Sequence, residues 1–216
     1  MKKTSLLSAL SLLIILSIGC DWKGIRGNGN IKTESRSVTA FARVDAGGFY
    51  TLEWHPGAPS FNITTDENLL SHIKTSVEGD LLKIEMEGHV APTRGVKIAI
   101  TSPSLAGASL SGALNFDATQ LSGGTFALET SGAANVTLVG KVNRLLASLT
   151  GASKLTAADL LAEDVELSVT GAGKADVTAS NLLRASITGA GKVSYGGQPK
   201  TVEKRITGAG KIRPRE

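Results

Sequence analysis

The chain has little of what most site chemistries require. It holds one cysteine, Cys20, in 216 residues, so no internal disulfide framework can form. It holds three histidines, His55, His72 and His89, set 17 residues apart in both intervals. That spacing suits no local zinc motif, and the plain reading is three surface imidazoles. Aromatic residues make up 4% of the chain. No RNA-binding aromatic motif, zinc-finger spacing or basic helix is present. Basic and acidic residues number 23 and 19, a formal charge of +4, too small and too dispersed to recruit nucleic acid. A hydrolase elbow of the Gly-x-Ser-x-Gly type is missing. The apolar run over residues 6–18 is too short for an ordinary transmembrane helix.

That run has a different layout. Lys2 and Lys3 precede it, and Gly19 and Cys20 follow it, the arrangement of a secretory signal. The segment Leu16-Ser17-Ile18-Gly19-Cys20 resembles the lipobox of bacterial lipoproteins. The resemblance implies a signal peptide over 1–19, cleavage before Cys20, and lipidation of Cys20 at its thiol and new N-terminus. Two or more acyl chains would hold the protein firmly on a lipid bilayer. The blander reading is a plain signal peptide with an incidental cysteine. Asp21 resembles the inner-membrane retention signal of enteric bacteria, so the sequence leaves the membrane, inner or outer, open. Residues 20–37 are rich in Gly and Asn and read as a tether. Within them Gly27, Gly29, Asn30 and Ile31 echo the spacing of Gly208, Gly210, Lys211 and Ile212, which suggests that they pair with something.

What the chain has in abundance is a repeat. A glycine-centred tetrapeptide returns as SGAL, SGAA, TGAS and three times TGAG. Its central glycines are Gly112, Gly132, Gly151, Gly171, Gly189 and Gly208, spaced 20, 19, 20, 18 and 19 residues apart. So short and regular a period is one supersecondary unit stacked on copies of itself. Two residues before the glycines stand Leu110, Thr130, Leu149, Val169, Ile187 and Ile206; four after stand Phe116, Val136, Leu155, Ala175, Val193 and Ile212. Apolar residues two apart on each side of a turn are strands with one face buried. Helix-pair repeats need about 33 residues, and the leucine-rich signature is missing. The fold class is therefore all-β: a single-stranded β-helix of about six coils of 18–20 residues over 104–216, preceded by a β-rich region over 38–103.

In that region the candidate strands are 40–45, 49–55, 61–65, 73–78, 81–87 and 96–101. Glu78-Gly79-Asp80 is expected to be a hairpin turn, and 66–70 a short helical turn. Three blocks, Asp66-Glu67-Asn68-Leu69-Leu70, Ile73-Lys74-Thr75 and Val77-Glu78-Gly79-Asp80-Leu81-Leu82-Lys83-Ile84, followed by the Ser/Thr-Gly-Ala-Gly turns, carry a family likeness. Over residues 38–212 the chain resembles the head-domain family of auto-transporter adhesins, the GIN domain. The resemblance implies a secreted or surface β-helical protein and brings no catalytic residues with it.

The residues offer little chemistry of their own. The Thr-Gly-Ala-Gly-Lys turns lack phosphate-loop spacing and open no helix. Asp117 and Asp176 share a column but lie three coils apart, about 14 Å, too far for a glycosidase pair. Asp159 and Asp164 read as solvated. No catalytic, metal or cofactor site emerges. One column stands out. Three residues after each glycine come Asn115, Asn135, Lys154, Lys174, Lys192 and Lys211. Stacked in register, four lysines form a ladder that could attract an anionic polysaccharide or lipid headgroups. The competing reading is that exposed turns take lysine for solubility. The expected function is a membrane-anchored, non-enzymatic binding or adhesion module. An envelope polysaccharide-active enzyme or a structural component of the envelope are the alternatives. Arg213, Pro214, Arg215 and Glu216 at the final coil should discourage end-to-end growth. The sequence leaves the oligomeric state open.

Overall fold

In the computed structural model, which describes residues 24–215, the six glycine turns stand one above another. Gly112 is in register with Gly132, and Gly132 with Gly151. Gly171, Gly189 and Gly208 continue the column, all in parallel pairing. Each has φ between +98° and +119°, where a side chain is strained. Space excludes a side chain as well. A Cβ at any of them would stand 2.4–2.6 Å from the carbonyl oxygen of the glycine one coil earlier. The repeat is thus a steric condition of stacking.

Six turns bound five intervals, so the solenoid has about five complete coils and not six. The strands that form them are long: β11 (Asn115–Gly132), β12 (Asn135–Gly151), β13 (Lys154–Gly171) and β14 (Lys174–Gly189). The strand β10 (Gly107–Gly112) precedes them; β15 (Lys192–Gly196), β16 (Thr201–Gly208) and β17 (Lys211–Pro214) follow. The stretches between the turns, such as 160–164 and 181–183, are strand too. Irregularities in the ladder, as between Ala157 and Leu161, mark where a coil bends. Inside lies a narrow core, for example Val136, Leu138, Leu145 and Leu149 from one coil.

The fourth residue of the tetrapeptide also has a packing cause. Leu114, Ala134, Ser153, Gly173 and Gly191 face inward, and the position shrinks along the axis. It shrinks as β-branched Val169 and Ile187 enter the facing column. A Cβ at Gly191 would stand 2.8 Å from Val169 Cγ1, and one at Gly210 2.6 Å from Ile187 Cγ2. The γ-carbon of the branched side chain takes the space that a Cβ would need.

The N-terminal half holds β1 (Ile25–Arg26), β2 (Ile31–Arg36), β3 (Arg43–Gly48), β4 (Thr51–Pro56) and β5 (Ser60–Asp66). A short 3-10 helix (Glu67–His72) follows. Then come β6 (Ile73–Glu78), β7 (Leu81–Met86), β8 (Val90–Ala91) and β9 (Lys97–Ser102). The expected strands and the Glu78-Gly79-Asp80 turn are present, except that the strand expected over 40–45 starts three residues later, as β3. This half is not outside the repeat, however. β3 pairs in parallel with β10, setting Gly48 against Gly112, and β4 pairs with β11. β7 and β9 then lie parallel to β3 and β4 on their far side. The chain lays down one partial coil, places a second beneath it, and crosses back to continue upward.

This end is closed by antiparallel pairing: β6 on β7, β5 on β9, and β2 on β5. The 3-10 helix buries Leu69 and Leu70. The Arg36 guanidinium donates to Leu70 O at 2.8 Å and lies 5.8 Å from the Phe61 ring centroid. From Ile25 onward, the stretch read as a tether is bonded into this cap. β1 pairs with β8, and β2 with β5. Between them Gly29 N donates to Asp66 Oδ1 at 2.7 Å. The Thr93 backbone and hydroxyl donate to the same carboxylate, both at 2.8 Å. Asp66 is fully buried. Burial pushes its carboxyl up, and the bonds from Thr93 and Gly29 outweigh that, so it ionises below the ordinary range. Cys20 and the signal segment lie outside the described residues. Among the described residues no helix is long and apolar enough to cross a membrane.

Candidate functional site: a lysine ladder

The outer faces of the coils carry columns as regular as the inner ones. Lys154 pairs with Lys174, Lys174 with Lys192, and Lys192 with Lys211. The four predicted lysines therefore stand on β13, β14, β15 and β17 without a register shift, about 4.8 Å per step. All four are exposed. None of them joins an ion pair among the described residues. Downward the column continues neutral, through Asn135 and Asn115 to Thr51, and ends at Lys97. Asn135 Nδ2 donates to Asn115 Oδ1 at 3.1 Å, an amide pair where the lysines give way.

A groove of about 380 Å³ runs beside the lysines. Its other wall is the column two residues further on: Thr156, Asp176, Ser194 and Arg213. In the sequence Asp176 has only Asp117, three coils away, as an acidic column partner. The structure gives it a basic partner: Arg215 Nη1 donates to Asp176 Oδ1 at 2.8 Å, and Nη2 to Thr178 Oγ1 at 3.0 Å. Arg215 thus straps the last coil to β14 and neutralises the acid closest to the ladder. The wall was legible as the positions five after each glycine, whereas the strap, a contact across 39 residues, had no signal.

A larger groove, about 750 Å³, crosses the neighbouring face over five strands. Ser148, Ser168 and Ser186 line it beside Leu146, Glu166, Arg184 and Glu203. Its central cation is already engaged. Arg184 meets Glu203 at 2.8 Å and Glu166 at 3.5 Å, and the Glu203 carboxyl is held below its ordinary range by that partner. One groove is internally neutralised and the other is not.

The remaining candidates separate. His55 Nδ1 shares a 2.7 Å hydrogen bond with Thr119 Oγ1 on β4's neighbouring coil. His72 closes the 3-10 helix, and His89 lies between β7 and β8. Among the described residues no three His, Cys, Asp or Glu side chains group as metal ligands. Asp117 has an acidic neighbour that the sequence reading missed, Glu53, in register on β4. The pair lines neither groove. Charge also divides along the axis. Residues 24–135 carry eight basic and eleven acidic side chains, a net −3; residues 136–215 carry twelve and six, a net +6.

Comparison with known proteins places this architecture. Residues 40–199 match the family described as "Putative auto-transporter adhesin, head GIN domain". A Bacteroides fragilis protein described as a putative adhesin is 22% identical; the match covers 89% of this chain and all of that one, with a TM-score of 0.73. A Parabacteroides distasonis protein described as a putative lipid binding protein is 24% identical over 90% of this chain and all of that one, with a TM-score of 0.55. A putative adhesin from Parabacteroides merdae is 20% identical over 89% and 99%, with a TM-score of 0.51. At such identities the likeness is one of fold. No curated protein matches the chain. The family match spans well over half of the residues, and the chain belongs to the head GIN domain family.

Proposed function

We propose that this GIN-domain head is an exported, non-enzymatic binding module, lipid-anchored to a bacterial membrane through Cys20, that captures an anionic ligand on its lysine ladder. The observation that carries the ligand reading is the unbroken register of Lys154, Lys174, Lys192 and Lys211, none of which forms an ion pair with a carboxylate among the described residues. Stacked like charges repel, although salt screens them beyond about 8 Å. A ladder serving solubility alone gains nothing from alignment, whereas a bound anion turns the mutual repulsion into shared attraction. Anionic polysaccharide and lipid headgroups both meet the requirement. The fold neighbour described as lipid binding is a reason to test headgroups.

The test replaces Lys154, Lys174 and Lys192 by Gln together and measures binding to an acidic polysaccharide and to anionic vesicles at low salt. Binding is expected to fall between about threefold and about a hundredfold, from the loss of three exposed ionic contacts of about 0.2–1 kcal/mol each. Unchanged binding to both probes removes the ladder from function. Anchoring is tested separately: Cys20→Ala should release the protein from the membrane fraction, and the intact mass of the native form should show acyl chains.

A second reading, a polysaccharide-active enzyme, has one observation behind it. Glu53 and Asp117 stand in register on adjacent strands, whose backbones are about 4.8 Å apart, so both carboxylates leave the same face as neighbours. Paired acids about 5–5.5 Å apart serve retaining glycosidases. Turnover of any glycan that is abolished by Glu53→Gln would favour this reading over binding alone.

A further inference from the structure

The groove beside the lysines narrows the ligand class, on the premise that the ladder is an anion site. We infer that it takes a linear acidic polysaccharide, laid along the solenoid axis with about one charge per coil, and not a phospholipid surface.

The four lysines form a single straight row, because the register is unshifted from Lys154 to Lys211. Three steps of about 4.8 Å set four cations over about 14 Å. A row of that kind complements a chain whose own charges recur at a similar interval: the stacked strands fix the spacing before binding, and only the lysine side chains have freedom to lose.

The wall opposite the lysines is polar. Thr156 and Ser194 face the groove, and their hydroxyls make no hydrogen bond within the described residues. They are placed to bond sugar hydroxyls between the charged groups. Asp176, between them, is held by Arg215 and does not repel the chain. Arg213 adds a cation at the groove's end.

A flat partner does not suit this face. The column of Thr156, Asp176 and Ser194 continues towards the cap through Thr137 and Asp117 to Glu53. An anionic bilayer pressed on this whole face would meet Glu53 and Asp117. A polymer confined to β13–β17 meets neither. It also lies wholly on the coils where net charge is +6, away from the half that carries −3. The larger groove offers no such alternative, since Arg184 is engaged by Glu166 and Glu203.

The test uses the full chain in neutral phosphatidylcholine nanodiscs, titrated with galacturonate oligomers of two, four and eight sugars. Neutral dextran and vesicles containing phosphatidylglycerol are the competing probes. Affinity should rise about tenfold from two to four sugars, as two more exposed contacts form, and little beyond four, when the row is filled. The Lys154→Gln, Lys174→Gln, Lys192→Gln variant should lose the length dependence with an unchanged circular dichroism spectrum. Arg184→Gln, in the other groove, should bind as the native protein does. Equal affinity for two and eight sugars, or ladder-dependent binding to the vesicles at least as strong as to the oligomers, overturns the polymer and leaves an anion site. Oligomer binding that survives the triple variant overturns the groove as its location. Binding of neither oligomer nor vesicle overturns the anion site itself.

Discussion

The two ends of the solenoid share a register and differ in how they stop. The cap end stops by pairing: antiparallel β5, β6 and β2 cover the open edges, and the 3-10 helix seals the core with Leu69 and Leu70. At the far end β16 is exposed along its whole length. Val202 and Ile206 are 39% and 43% exposed there, and the inward position between them holds Lys204. Its ammonium lies 4.8 Å from the Tyr195 ring centroid, where a cation interacts favourably with the aromatic face. One end is closed by hydrogen bonds and burial; the other presents Lys204, a charge that anything packed against it would have to desolvate. Termination of a repeat and stability of a repeat are thus separate problems, solved by different residues.

The largest test of that separation is in the glycines. Gly151 lies within the coils, at φ +98° and with Gly132 O 2.4 Å from any added Cβ. Gly29 lies in the cap, at φ +79° with open space around it. Gly151→Ala must bear both the strain and a displaced backbone, and should cost about 3 kcal/mol or more; Gly29→Ala bears the strain alone and should cost about 1 kcal/mol. Chemical denaturation of both variants checks this. Equal losses would mean that close approach of the coils contributes nothing and that backbone conformation alone selects glycine.

The cap should respond to acid before the coils do. Asp66 ionises below the ordinary carboxylate range in the fold. Its contribution is therefore present above the unfolded value near 4 and is lost as pH falls through the folded value. Below about pH 4 the 25–30 strap should exchange its amide protons faster than the coil strands do. Asp66→Asn keeps the shape, cannot ionise, and should remove that pH dependence while loosening the strap at neutral pH. Hydrogen exchange of Gly29 and Thr93 against Ala147 and Leu167 separates the two regions. Uniform acid loss across the chain would show that the cap and the coils unfold as one unit.

The same contrast explains what could be read from the sequence. The coils were legible because each column repeats: the glycines, the inward apolar positions and Lys154 to Lys211 all recur at one interval. The five-for-six coil count is the difference between turns and the intervals between them. The partial coils of β3–β4 and β7–β9 were not legible, since 64 residues separate Gly48 from its stacking partner Gly112. β7 also follows β3 in sequence yet lies on its far side. Glu53 beside Asp117 was hidden for the same reason. The echo of Gly27 to Ile31 did signal pairing, but not with a coil. The glycines there make room for Asp66, whose carboxylate would meet a Cβ at Gly27 within 2.5 Å.

The smallest effect on stability, and the sharpest on the comparison, is expected at Lys204. Replacing it with Leu restores the apolar residue that the inward position holds in earlier coils, such as Leu128 and Leu167. The side chain is exposed at the end of the stack, so the gain in stability should stay below about 1 kcal/mol. What changes is the end itself. Val202, Leu at 204 and Ile206 would form one apolar row on an unpaired strand edge, the arrangement that invites another chain to pair. Light scattering of Lys204→Leu against the native protein should show concentration-dependent association that Lys204→Arg does not. If Lys204→Leu remains in the native protein's state of assembly, the charge at this position is not what stops the solenoid. Closure would then fall to the Arg215 strap, and Arg215→Ala becomes the variant that opens the end.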